Sequence, residues 1–255
     1  MINTNDYRYS LRVKNGSGWR RFERIRLLIS VGKEYHEGNK LAAVVDWINR
    51  NPSIKEVHIS VNDLLQRHNL IAAGLSEKDA AARSLASGAL WLTRNEDVLT
   101  TLRPTCLITR WKDWFSLPEF ESAFSTLQQY KQNDLSFEKA LEQDSHALAE
   151  RKTLRGETVP PSLILHSRHY IEEEMALFAV QTNKLPAAEV YPGSNLHSAT
   201  YFLENFCNCA NNLPAELRPL AVRYFTRVDF ARKKEGQTVS FPKAPNDIPA
   251  PYTAA

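Results

Sequence analysis

Four side chains are candidates for chemistry: Ser30, Tyr170, Glu174 and Tyr191. Ser30 ends the apolar segment RIRLLIS (24–30) and is followed by Val31-Gly32. A hydroxyl at a strand tip points into the crevice above a sheet, and backbone N–H groups of the next turn are placed to receive an oxyanion. That is the equipment of acyl transfer through a serine ester. The nucleophile elbow of α/β-hydrolases needs glycine two residues before the serine; here that position is Leu28, and the last histidine, His197, comes too early for the hydrolase order. By motif alone, Ser30 is more often an ordinary strand-end serine.

The segment 160–184, opened by Pro160-Pro161, reads as a helix. At roughly 100° per residue with Tyr170 as zero, Leu163, Ile164, Ile171, Met175, Leu177 and Phe178 fall on an arc from about −20° to about +140°. Glu174 lies inside that arc, one turn beyond Tyr170, while Glu172 and Glu173 project outside it and read as solvated face. A carboxylate on an apolar stripe is costly unless it has partners or work to do. Tyr170 and Glu174 are thus an inward-facing polar pair, with a glutamate satisfied by an arginine as the bland alternative. Tyr191-Pro192 closes a short late strand, since proline stops further pairing. His166 and His169 stand three apart with no third ligand nearby in sequence, and Cys207-x-Cys209 has no second cysteine pair. No metal site is expected.

The elements that must position these residues follow from periodicity. Strands are predicted at 24–30, 55–61, 106–111, 187–191 and 221–230. Helices are predicted at 40–50 (capped by Asn39), 76–102, 117–132, 136–152, 160–184 and 195–211. Strand, helix, strand in this order predicts an α/β fold: one Rossmann-like domain over 1–240 with a central, mostly parallel sheet and an added helical layer. The stretch 241–255, rich in proline and alanine, is expected to be a flexible tail. Ligands in such sheets bind outside the carboxyl ends of the strands, where Ser30 and Tyr191 stand.

The 255 residues carry 24% charged and 43% hydrophobic side chains and a formal charge of +3, so disorder is not expected. The distribution of charge says more than the total. Arg8, Arg12, Lys14, Arg20, Arg21, Arg24 and Arg26 face one acid, Glu23, with Tyr7, Tyr9, Trp19 and Phe22 interleaved. Arg223, Arg227, Arg232, Lys233 and Lys234 form a second cluster. Such clusters suit a phosphate backbone and unstacked bases, or else a salt-bridged surface. With no signal peptide and no long apolar run, the cytoplasm is the expected location and no membrane contact is expected.

Taken together and in this order, the strand LLIS with Gly32 and Tyr35 following, Tyr170-x-x-x-Glu174-x-x-Leu177-Phe178 and Tyr191-Pro192 resemble the tRNA-dependent cyclodipeptide synthases. The resemblance runs over roughly residues 24–230. It implies a fold like the catalytic domain of class I tyrosyl- and tryptophanyl-tRNA synthetases, no ATP, metal or cofactor, and two aminoacyl-tRNAs as partners of a monomer. It further implies that Ser30 takes the first aminoacyl group and that Tyr170 and Glu174 hold its amino group and move protons. Tyr191 helps position the site. A second aminoacyl-tRNA then gives a dipeptidyl-enzyme, which cyclises to a diketopiperazine.

Lys33, Leu28 and Pro192 depart from the subfamily that carries asparagine after the serine, glycine before it and glutamine after the late tyrosine. The pattern resembles the subfamily with proline at that last position. The helix used for tRNA in the other subfamily is poor in charge here, with only Lys78, Arg83 and Arg94. The tRNA contacts are therefore expected at Arg20, Arg21, Arg24, Arg223 and Arg227. The resemblance places Arg26, Leu28, Gly32, Val57, Trp111, Glu189 and Pro192 around the first aminoacyl group. Arg26 and Glu189 either pair as a pocket floor or meet a polar substrate, with an acidic side chain reading Arg26 as the sharper expectation. Two other readings of the residues stand beside this one: a serine hydrolase or acyltransferase acting on a small ester, and a non-catalytic RNA-binding domain.

Overall fold

The computed structural model describes residues 9–14 and 18–232. Arg8, Lys233, Lys234 and the 241–255 tail lie outside the described residues. The strands are β1 (Tyr9–Val13), β2 (Arg24–Ser30), β3 (Glu56–Asn62), β4 (Thr105–Arg110), β5 (Ala188–Tyr191) and β6 (Tyr224–Arg232). They form one sheet in the order β1-β6-β5-β2-β3-β4. β2 to β6 run parallel, and β1 is antiparallel on the edge beside β6. β2 and β3 are covered on both faces: β2 carries the apolar run Leu27-Leu28-Ile29, and β3 alternates Val57, Ile59 and Val61 with the buried polar His58, Ser60 and Asn62.

Ile25, Leu27 and Ile29 of β2 pack with Val57, Ile59 and Val61 of β3 on one face, against α1 (Gly38–Asn49) and Trp91 of α3 (Glu77–Leu99). On the other face lie α2 (Arg67–Ala72), α4 (Trp111–Phe115), α5 (Pro118–Asn133), α6 (Leu135–Leu154), α7 (Leu163–Lys184), α8 (His197–Phe206) and α9 (Arg218–Ala221). α7 is the hub of this layer: α2, α4, α5, α6 and α9 all pack against it. The expected α/β class and mostly parallel sheet are therefore the observed architecture.

The differences are local. α1 begins at Gly38 with Glu37 in the cap position and no side-chain cap, so Asn39 is inside the helix rather than capping it. Ser76, in contrast, caps α3 by accepting from the Asp79 N–H. Trp111 opens α4 instead of ending the preceding strand. β1, α2, α4 and α9 escape the sequence pattern because they are short, and β1 gains its strand state only from pairing with β6. No helix among the described residues is long and apolar enough to cross a membrane.

Candidate active site

The parallel strands read β4-β3-β2-β5-β6, so chain order reverses direction between β2 and β5. A crevice opens at the carboxyl ends of two strands whose connections depart to opposite sides. Ser30 and Tyr191 end these two strands, and Ser30 Oγ lies 3.1 Å from Tyr191 Oη. Tyr191 Oη is in turn 2.9 Å from Tyr35 Oη.

Local sequence makes this geometry. The Lys33 N–H donates to the Ser30 carbonyl at 3.2 Å, closing a tight turn in which Gly32 has φ +82°. A side chain at that φ is strained, so glycine is required for the backbone and not to make room. The 3-10 turn Glu34–His36 then presents Tyr35 to the crevice and His36 to the interior. Burial brings His36 down to about 3, so its ring is neutral. Its Nδ1 accepts the Ser30 N–H at 2.8 Å, and its carbonyl accepts the Trp91 indole N–H at 2.9 Å. His36 thus holds the backbone of Ser30; it is not placed as a base for the hydroxyl. On the β5 side, Pro192 follows the strand, and a Cβ at Gly193 would come within 2.5 Å of the Tyr191 ring. Glycine there lets the chain fold back over the tyrosine.

Tyr170 and Glu174 enter from α7. Tyr170 Oη accepts from Asn62 Nδ2 at 2.6 Å and from Gln66 Nε2 at 3.2 Å, which leaves its own proton to donate into the crevice. Burial, with Glu174 nearby, keeps this phenol neutral by raising its pKa well above the ordinary value. Glu174 is half-buried and has no hydrogen-bond or ion-pair partner among the described residues. Burial pushes its carboxyl up to about 8; Arg223 opposes the shift, and Asp144 and Glu189 add to it. An unpartnered carboxylate in a desolvated crevice is a receptor for a cation or a proton.

The floor below is already neutralised. Arg26 and Glu189 are each fully buried and joined at 2.8 Å. Arg26 also donates to His58 Nδ1 and to the carbonyls of Gln181 and Leu185. Glu189 is held from its other side by Arg223, whose guanidinium lies over the Phe178 ring. The expectation that Arg26 reads an acidic substrate is therefore overturned: every side of its guanidinium is engaged, and the paired-floor alternative is what the structure holds. Arg223 is likewise inside, 5% exposed, and does not offer its charge to a phosphate.

Val57 is corrected by register. It pairs alongside Ile25 and packs on the sheet face away from Ser30, whereas His58, Ser60 and Asn62 share the Arg26, Leu28 and Ser30 face. Leu28 and Trp111 are on the expected side but fully enclosed; the Trp111 N–H donates to Ser60 Oγ at 2.7 Å.

Glu172 and Glu173 are not solvated. Glu172 is buried and bound by Lys131, Arg168 and Gln128, and Glu173 by Arg67 and His68. α7 is exposed in its first turns, at Leu165 and His169, but at Glu172 and Glu173 the helices α5 and α2 bring Lys131 and Arg67 against it.

Of the expected tRNA contacts, Arg20 and Arg21 are exposed, but with Arg24 they lie at the start of β2, about 20 Å of strand from Ser30. Arg24 is engaged by Glu56. Arg227 is exposed and level with Tyr191 across β5 and β6. Sequence reading missed a basic rim near Ser30. Desolvation lowers the Lys33 ammonium, and the charges of Arg151, Arg155 and Lys152 lower it further. Those three residues end α6 or follow it directly. Tyr35, Asn62, Gln66 and Gly193 also went unassigned, since their value lies in contacts across more than 100 residues of chain or, for Gly193, in one ring packed upon it.

No protein-family model matches this chain, and no curated protein matches it. Solved structures do. A cyclodipeptide synthase from Fluoribacter dumoffii is 21% identical, with a TM-score of 0.76 over 89% of this chain and 100% of that one. One from Candidatus Glomeribacter gigasporarum, bound to Phe-tRNAPhe, is 17% identical, with a TM-score of 0.60 over 88% and 93%. A Mycobacterium tuberculosis protein, 15% identical with a TM-score of 0.60 over 89% and 94%, is described as demonstrating that cyclodipeptide synthetases are related to type I tRNA synthetases. At these identities what is shared is the fold.

Proposed function

We propose that this chain is a cyclodipeptide synthase, a single catalytic domain that joins two aminoacyl groups delivered on tRNA through esters on Ser30. The observation that carries the proposal is the hydroxyl chain Ser30–Tyr191–Tyr35 at the sheet's switch point, facing the unpartnered Glu174. The folds it resembles, and the Tyr191-Pro192 pair of one subfamily, support the same reading.

An aminoacyl ester is already activated, so exchange onto serine is nearly neutral and needs only proton transfer and an oxyanion site. Ser30 Oγ adds to the ester carbonyl; the Oγ–C bond forms and the bond from carbon to the ribose oxygen breaks. The serine proton passes through the Tyr191 hydroxyl to the departing ribose oxygen. Burial raises the Tyr191 pKa, so the phenol relays the proton without remaining ionised. Among the described residues no imidazole is bonded to Ser30 Oγ, which argues against a hydrolase triad: the nearby His36 is spent on the Ser30 N–H.

Glu174 accepts from the α-ammonium of the bound aminoacyl group, and the Tyr170 hydroxyl donates to the amine once its proton has passed to Glu174. A carboxyl near 8 is matched to an α-amine of about 8, so a proton moves between them at little cost. The freed amine on the Ser30-bound residue attacks the ester of a second aminoacyl-tRNA; the amide C–N bond forms, the bond from carbon to the ribose oxygen breaks, and the tRNA hydroxyl leaves with the amine's proton. The new terminal amine then attacks the Ser30 ester, closing the ring and returning the serine hydroxyl. A floor of self-paired charges favours a small or apolar first side chain. Lys33, Arg151, Lys152 and Arg155, with Arg227, are the phosphate contacts of the tRNA acceptor end. Arg20 and Arg21 are available to a more distant part of the tRNA.

Expression in a bacterial host followed by mass spectrometry of the medium tests this. Diketopiperazines should accumulate with the wild type and vanish with Ser30→Ala. A medium free of them, with folded protein and charged tRNA present, would contradict the proposal.

A further inference from the structure

Away from the crevice, α2 and α7 bring together three imidazoles. His68, His166 and His169 each offer a ring nitrogen, and these atoms lie within 4.8 Å of one another. The ring centroids form a near-equilateral triangle, 6.4 Å, 6.0 Å and 6.1 Å on a side.

The way His68 is held points to a ligand. Its Nε2 is 2.9 Å from a carboxylate oxygen of Glu173, and Glu173 is itself clamped by Arg67. A carboxylate accepts only, so Nε2 carries the proton and Nδ1 presents a lone pair. A carboxylate behind a histidine fixes tautomer and ring orientation in this way at zinc sites. His68 is 7% exposed, and its Nδ1 is buried with no hydrogen-bond partner; His166 Nδ1 is in the same condition. Two bare buried nitrogens cost stability unless a ligand satisfies them. His169 is exposed, so the fourth coordination position opens to water.

We infer that His68, His166 and His169 form a site for one zinc-class divalent cation, with Glu173 as the carboxylate behind His68. Zinc–nitrogen bonds of about 2.0–2.1 Å set tetrahedral ligand atoms roughly 3.4 Å apart. Rotations that draw the ligand atoms together by about 1.4 Å at most therefore complete the site. Water replaces no protein ligand, and the remaining charge of the ion is offset in part by Glu173. The site clasps α2 to α7. Gln66, immediately before α2, holds the Tyr170 hydroxyl that α7 carries. Metal at the clasp therefore steadies a residue of the crevice without touching substrate.

The test uses untagged full-length protein stripped with chelator. Titration with zinc chloride by calorimetry should give one site per chain with a dissociation constant below about 1 μM, and cobalt(II) should give the strong visible bands of a tetrahedral site. Zinc should raise Tm by several degrees. His169→Ala, an exposed change that leaves the core intact, and His166→Gln should each weaken zinc at least tenfold and abolish the Tm shift while the apo proteins keep the wild-type fold by circular dichroism. Wild type that binds no zinc below 10 μM, or variants that bind it as wild type does, would overturn the site.

Discussion

Glu172 and Glu174 differ by two positions and have opposite environments. Burial alone would raise Glu172, but Lys131, Gln128 and Arg168 outweigh it and hold the carboxyl below its ordinary range. Its contribution to stability is present above the unfolded carboxyl pKa and is lost as pH falls through the folded value. Glu174 is the reverse. The folded state keeps its proton up to about pH 8, while the unfolded chain releases it near pH 4. Between those values rising pH costs stability. Glu174→Gln should therefore raise Tm by roughly 2–4 °C at pH 8 for each kcal/mol relieved, and lower the rate of product formation at least ~100-fold. Glu172→Gln should lower Tm, at a cost on the order of 2 kcal/mol, and leave the chemistry of folded enzyme largely intact. Thermal melts at pH 5 and pH 8 with parallel rate measurements check both. A Glu174→Gln variant that loses stability in step with activity would make Glu174 a structural residue. The inward phase of Glu174 was legible from helix periodicity. The pairing of its neighbours was not, because periodicity finds the apolar stripe but says nothing about cations brought to the other sides by α2 and α5.

At the scale of elements, the main strand and helix positions were legible because each long segment has one clear period. Register was not. Val57 was placed around the substrate, yet pairing of Ile25 with Val57 sends it to the far face, and one residue of frame decides between it and His58. The basic rim was hidden for a related reason: Lys33 follows β2, its partners lie near the end of α6, and only folding makes them one patch. The linear cluster at Arg20 and Arg21 was conspicuous in sequence but lies at the other end of the sheet. This gives a prediction. Affinity for aminoacyl-tRNA should fall with salt, and Lys33→Ala with Arg151→Ala should reduce the slope of log K against log salt by about 1–2. Replacing Arg20 and Arg21 should change it less. Filter binding between 50 and 200 mM salt decides the ranking, and the opposite order would return the footprint to the N-terminal arginines.

Over the whole molecule, a net charge of +3 on 255 residues names no partner. The architecture does more, since the reversal of strand order between β2 and β5 creates the crevice and brings residues 30 and 191 within hydrogen-bonding distance. The four residues named from sequence stand at one crevice; the supporting contacts of Tyr35, His36, Asn62 and Gly193 needed the assembled sheet. The central claim is that Ser30 carries the aminoacyl group. It is tested most directly by mixing purified enzyme with tRNA charged with a radiolabelled amino acid, quenching in acid and locating the label by peptide mass spectrometry. The account predicts label on Ser30, released by mild base as an ester is, and none on Ser30→Ala. Label retained equally by Ser30→Ala, or carried by another residue in the wild type, would contradict it.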